Sequence, residues 1–138
     1  FNRSSINNNP TMKRIFTADA PQPGGHYSQA IVHGDTVYLA GQLPVDPETG
    51  EIAAGSIFDQ TRLVLNNLRA VLEAAGSSVD HVVKVTVFVP DISLWGSVND
   101  VYADFFGDHR PARVVVPTRD LHHGCLVEID AVAAVRDS

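Results

Sequence analysis

The residues of this chain best equipped for chemistry stand near its C-terminal end. Arg113 sits in HRPARVVV, where the loop of residues 107–111 hands over to a run of valines. A guanidinium is always charged, and its planar fork matches a carboxylate with two parallel hydrogen bonds. Such an arginine either anchors a substrate carboxylate or pairs with a structural acid. Glu128 lies in LVEIDAVAA, where period-2 alternation sets Leu126, Glu128, Asp130 and Val132 on one strand face and Val127 and Ile129 on the other. A carboxylate embedded in so apolar a strand must be paired, hydrogen-bonded or shifted in pKa. Two readings stay open: Glu128 as the structural partner of Arg113, or Glu128 positioning water in a site that Arg113 also lines. Tyr27, after PGGH, opens a strand and is either a half-buried strand residue or a hydroxyl held at a pocket rim. Asn99 falls early in a helix, where capping and surface roles suit it equally.

Other chemistries lack their residue patterns. The chain has six histidines, but His122 and His123 are adjacent and would point to opposite faces of an extended chain, and there is no CxxC, HxH or HExxH spacing. No metal is expected. No GxSxG elbow is present, and Gly24-Gly25 is a lone glycine pair rather than a phosphate-cradling loop, so no cofactor is expected either. Cys125 is the only cysteine, which excludes an internal disulfide and suits a reducing cytosol. Within an apolar strand it reads as packing rather than nucleophile.

The elements that must position these residues alternate in type. Residues 13–17 read as a short edge strand. Residues 27–32 and 36–40 are β-rich and flank the turn His33-Gly34-Asp35, which predicts a hairpin. From Ser56 the period changes: Val64, Leu65, Leu68, Val71, Leu72 and Ala75 recur at helical spacing until Gly76. In HVVKVTVFVP, Val83, Val85, Val87 and Val89 share one strand face. A second helix over residues 97–106 stripes Val98, Val101, Tyr102 and Phe105 along one side. A last strand over 125–135 follows the turn at His123-Gly124. The order predicts an α+β fold, a sheet with both helices on one face. The uncovered face needs burying, and self-association would do it.

The chain's 138 residues, 44% hydrophobic, suffice for one domain. Residues 1–11, with their Asn run, read as a flexible leader or expression scar, and residues 12–138 as the single domain. A formal charge of −6 with no Lys/Arg run makes nucleic acid a poor partner. No apolar run approaches the roughly 20 residues that span a bilayer, so a membrane location is not expected and a cytoplasmic one is.

Taken together, GHYSQA, LAGQLPVDPETGEI, VKVTVFVPD, VNDVYADFF, RPAR and VEIDAVA, in this order between residues 20 and 135, resemble the RidA (YjgF) family. The resemblance implies a chorismate-mutase-like α+β subunit, a homotrimer with three inter-subunit sites, and metal-free hydrolysis of enamines and imines of the 2-aminoacrylate type to 2-keto acids and ammonia. By its motifs, Arg113 would anchor the substrate carboxylate and Glu128 would position or activate water. Tyr27, Asn99, the backbone of Gly41 in AGQ, and the backbone at Val115 would line the pocket. Three departures stand out. His26 replaces the family's usual proline in GPY, Val115 stands where a cysteine often follows the PAR motif, and an LPKG-like turn has become Leu121-His122-His123-Gly124; the family uses the backbone at Val115, so little is lost there, and the changes bear on substrate range more than on reaction type. Two other readings remain beside the deaminase: a non-catalytic trimer that binds keto acids or related small ligands, and the ribonuclease activity attributed to some relatives, which the acidic charge disfavours.

Overall fold

Among the described residues, six strands and two α-helices carry the fold: β1 (Met12–Ile15), β2 (Ala30–His33), β3 (Thr36–Gln42), α1 (Ile57–Ala74), β4 (Val82–Val89), α2 (Trp95–Phe106), β5 (Ala112–Pro117) and β6 (Glu128–Ala134). A computed structural model describes residues 11–136. The leader expected over residues 1–11 thus lies, apart from Thr11, outside the described residues.

The strands form one mixed sheet in the order β1-β2-β3-β6-β4-β5. Only β4 and β5 run parallel, and α2 makes the crossover that a parallel pair needs. The last strand, β6, inserts between β3 and β4, antiparallel to both. Both helices cover one face. There Val37, Val85, Val87, Ile129 and Ala133 meet Val64, Leu65, Leu68, Val71 and Leu72 of α1 and Val98 and Phe106 of α2 in one buried cluster. Each such side chain contributes about 1.5–3 kcal/mol on burial.

Local chemistry explains why α1 begins and ends where it does. Ser56 Oγ accepts from Asp59 N–H, and the Asp59 carboxylate accepts from Ser56 N–H, which makes a reciprocal cap. At the other end Gly76 takes φ 78, a left-handed conformation that turns the chain out of the helix. Three buried amides then tie loops to this frame. Asn67 donates to the carbonyls of Leu43 and Val45, Gln60 accepts from Leu126 N–H, and Gln29 grips the segment of residues 17–21.

Several expectations are corrected. The first strand is Met12–Ile15, not 13–17, and the hairpin strands start at Ala30 and end at Gln42 around a two-residue turn, Gly34-Asp35. Tyr27 therefore stands in the preceding loop and does not open a strand. In β4 the pairing with β6 slips between Val82 and Lys84. That irregularity reverses parity: Val82 is buried while Val83 is 52% exposed, so Val83 does not share the core face with Val85, Val87 and Val89. The second helix starts two residues early, at Trp95, and its buried stripe runs through Val98, Val101, Tyr102 and Phe106, with Phe105 only partly buried. β6 begins at Glu128, so Cys125 and Leu126 precede the strand; Cys125 is buried all the same.

Candidate functional site

Arg113 is the second residue of β5. In register it faces Val85, which in turn faces Ala131 of β6; both neighbours are buried, so this row points toward the helices. The guanidinium is half-buried against α2. Its Nη1 donates to Asn99 Oδ1 at 2.7 Å, and its central carbon lies 4.8 Å from the centroid of the Tyr102 ring. Asn99 and Tyr102 are three residues apart, so one helix face offers an amide and a ring to the same cation. Among the described residues the only ion pair joins Arg62 and Asp59, which leaves Arg113 without a carboxylate. It borders a cavity of about 470 Å³ that Asn99, Tyr102, His109 and Arg110 also line. His109 fixes the loop before β5 through a 2.7 Å contact between Nε2 and the Val82 carbonyl.

Tyr102 is the residue that sequence reasoning placed in the core stripe without giving it a part in the site. Its hydroxyl is buried and has no hydrogen-bond partner among the described residues. Burial pushes its pKa up to about 12, against the pull of the Arg113 charge. The i, i+3 spacing from Asn99 was the available signal. Val115 shares Arg113's parity, and β5 is the sheet edge, with no further strand beside it among the described residues.

Glu128 opens β6 opposite Phe88 and belongs to the other, uncovered face with Asp130 and Val132. Arg113 and Glu128 therefore leave opposite faces of one sheet, and the reading in which they pair within a chain is overturned. Gly41 supplies the seat for the carboxylate. A Cβ there would fall on Glu128 Oε2 and lie 3.1 Å from its Cδ, so only a bare backbone lets the side chain lie down. Desolvation raises the Glu128 pKa; the His122 charge lowers it and Asp130 raises it.

Around Glu128 lies a cavity of about 400 Å³ lined by Tyr27, Gly41, His122, His123 and the Gly24-Gly25 loop. Tyr27 Oη accepts from Gly24 N–H at 3.3 Å, which holds the ring over this loop. Gln29 anchors the approach by donating to the carbonyls of Thr17 and Pro21 and accepting from Thr17 N–H. The six residues singled out from sequence thus form two groups: Arg113, Asn99 and Val115 in one, Glu128, Gly41 and Tyr27 in the other. The first is shaped to hold an anion, and the second offers a proton acceptor against a wall of backbone and imidazole. Among the described residues no cluster of three or more His, Cys, Asp or Glu side chains is arranged to hold a metal ion, and no helix is long and apolar enough to cross a membrane.

The chain is similar to known proteins over most of its length. Residues 17–135 match the family described as endoribonuclease L-PSP. A RutC family protein of Pyrococcus horikoshii is 52% identical over 119 residues, 86% of this chain and 94% of the relative. A protein of Rattus norvegicus named 2-iminobutanoate/2-iminopropanoate deaminase is 38% identical over 121 residues, 88% of each chain. The crystal structure of E. coli TdcF with bound serine superposes with a TM-score of 0.85 at 39% identity, covering 90% of this chain and 99% of that one.

Proposed function

The chain belongs to the endoribonuclease L-PSP family, the RidA (YjgF) family, and from that premise we propose that it hydrolyses 2-imino acids of the 2-aminoacrylate type to 2-keto acids and ammonia. The observation that carries the reading is Arg113: a half-buried guanidinium held by Asn99 and Tyr102, bordering a cavity, with no carboxylate of its own among the described residues. One of its five N–H groups is committed to Asn99, and the fork remains for a ligand carboxylate. Hydrogen bonds to charged groups contribute about 1.5–3 kcal/mol each. The rat relative's name and the serine bound to TdcF both involve an α-nitrogen beside a carboxylate, which supports a ligand of this shape.

Glu128 supplies the other requirement. Hydrolysis of a C=N bond needs water delivered to the carbon and a proton delivered to the departing nitrogen. A carboxylate whose pKa burial has raised exchanges protons more readily near neutrality than an exposed one. Because Arg113 and Glu128 leave opposite sheet faces, a complete site takes Arg113, Asn99 and Val115 from one subunit and Glu128, Gly41 and Tyr27 from a neighbour. The uncovered face supports association: Tyr38 and Val114 are 49% and 45% exposed, beside partly buried Phe88, Val116 and Val132. We take the assembly to be the homotrimer that the family resemblance implies, acting in the cytoplasm.

The test couples a pyridoxal-phosphate serine or threonine dehydratase to this protein and follows decay of the released imine. The expected result is faster decay with the wild type, no acceleration with Arg113→Ala, and a KM raised on the order of tenfold or more with Arg113→Lys, which keeps the charge and loses the fork. Wild type without effect, or Arg113→Ala with full effect, refutes the deaminase. Keto-acid binding without turnover would assign a ligand-binding role instead.

A further inference from the structure

The turn of His122-His123-Gly124 is built rigidly against the Glu128 cavity. It closes with Cys125 N–H donating to the His122 carbonyl at 3.1 Å. Cys125 and Val127 are buried, and Gln60 holds Leu126 N–H at 2.9 Å, so the link from turn to strand is fixed to the core on three consecutive residues. His123 adopts φ 58, ψ 22 and is the only non-glycine residue with positive φ among those described. A non-glycine side chain in that region is unfavourable and persists where the surroundings dictate it. Its effect is to fold the turn so that both imidazoles, with ring centroids 6.0 Å apart, line the Glu128 cavity. His123 also borders an adjoining cavity of about 450 Å³ that contains Glu51 and Gln22.

We propose that His122 is a second acid–base residue of the Glu128 half-site, donating a proton to the substrate nitrogen while His123 shapes the turn that presents it. This deepens the deaminase reading and rests on it. In the addition step the water oxygen bonds to the imine carbon and the C=N π pair moves to nitrogen. Glu128 takes a proton from the water, and the His122 imidazolium gives one to nitrogen. In the collapse, protonated Glu128 returns its proton to nitrogen, the C–N bond breaks with its electron pair leaving on ammonia, and the carbinol hydroxyl proton passes to His122. Both side chains end as they began, and the net change is imine plus water to ketone plus ammonia. Imidazole titrates between pH 5 and 8, where one carboxylate alone is a poor acid.

The charged and titratable groups around His122 are few. Glu128 and His123 share its cavity, with Tyr27 from the loop before β2; Asp130 is two residues further along β6, and Cys125 follows the turn. Arg119 and Asp120 precede the turn and line neither cavity.

Two measurements test the proposal. Rate–pH profiles of imine decay, after subtraction of the buffer rate, are compared for wild type, His122→Gln and, as control, His33→Gln at the exposed end of β2. The wild-type rate is expected to fall as pH rises through the imidazole range; His122→Gln is expected to lose that limb and about 10²-fold in rate on its acidic side, and His33→Gln to match wild type. Superimposed active profiles for wild type and His122→Gln overturn the proposal and leave the deaminase standing; a wild type inactive at every pH overturns both. Independently of catalysis, the NMR signals of the His122 ring are expected to shift in Glu128→Gln, because the two side chains line one cavity. Unshifted signals refute that proximity.

Discussion

Mixing two inactive variants should restore activity if the site is divided between chains. Arg113→Ala removes the anchor on the helix side of the sheet, and Glu128→Gln removes the carboxylate on the uncovered side. Each homogeneous assembly then lacks one half of every site. Losing a forked carboxylate contact costs on the order of 3–6 kcal/mol at 1.5–3 per charged hydrogen bond, so the parent with Arg113→Ala should fall by more than about 10²-fold. In a ring with head-to-tail interfaces, each site draws Arg113 from one chain and Glu128 from the next. It is whole when the first chain carries Glu128→Gln and the next carries Arg113→Ala. At equal amounts and random exchange that happens at about one site in four, and at a 3:1 ratio at about one in five. The assay is imine decay after the variants are mixed, briefly loosened in mild denaturant and reassembled, with native mass spectrometry to confirm mixed assemblies. Recovery to about a quarter of wild type, with a maximum at equal amounts, is expected. Mixed assemblies that stay at the parental level refute the divided site.

Three further outcomes follow from the same geometry. Gly41→Ala should cut activity at least about tenfold by pushing the Glu128 carboxylate off its seat, whereas Gly96→Ala, where a Cβ meets nothing within 4 Å, should leave it unchanged; steady-state rates of both variants check this. Tyr102→Phe should be neutral or stabilising by about 1 kcal/mol, because it deletes a buried hydroxyl that has no partner among the described residues; a lower urea midpoint at fixed protein concentration would show that the hydroxyl gains a partner on assembly. Burial raises the folded-state pKa of both Glu128 and Asp130, although Thr86 opposes the shift at Asp130. The folded chain then binds their protons more tightly than the unfolded one, so their contribution to stability is full below the ordinary carboxylate value of about 4 and is lost as pH rises through the folded values. Melting temperatures between pH 4 and 7 should show this slope in wild type and a flatter one in Glu128→Gln/Asp130→Asn.

How far the sequence could be read depended on whether the signal was local. The periodicity of α1 and its Ser56 and Gly76 boundaries are encoded within the helix and its caps, and they agree with the structure. Period-2 parity is equally local, but it holds only while pairing is regular. The slip near Val83 depends on how β4 meets β6, and nothing within HVVKVTVFVP announces it. The candidate site shows the same division. Each of Arg113 and Glu128 could be assigned to one side of its own strand, since Val115 follows the first and Ile129 opposes the second. Which side of the common sheet each strand turns toward the helices is set by register with β4, a non-local quantity. The buried amides Gln29, Gln60 and Asn67 look in sequence like surface residues, and only the backbone groups they satisfy reveal them as staples.

The charges of the two half-sites bear on what the assembled site would hold. One half ends in a guanidinium with Arg110 and His109 nearby; the other ends in a carboxylate with Asp130 on the same strand face. A phosphodiester chain presents repeated negative charge, which the first half would attract and the second repel, and a chain of net charge −6 adds a general repulsion. A 2-imino carboxylate would match both ends, its carboxylate facing Arg113 and its basic nitrogen facing the carboxyl and imidazole groups around Glu128. The 2-keto acid product keeps the carboxylate and has a weakly basic carbonyl oxygen in place of the nitrogen. An arrangement that holds and protonates that nitrogen would hold the product less well, and the difference would favour turnover over retention.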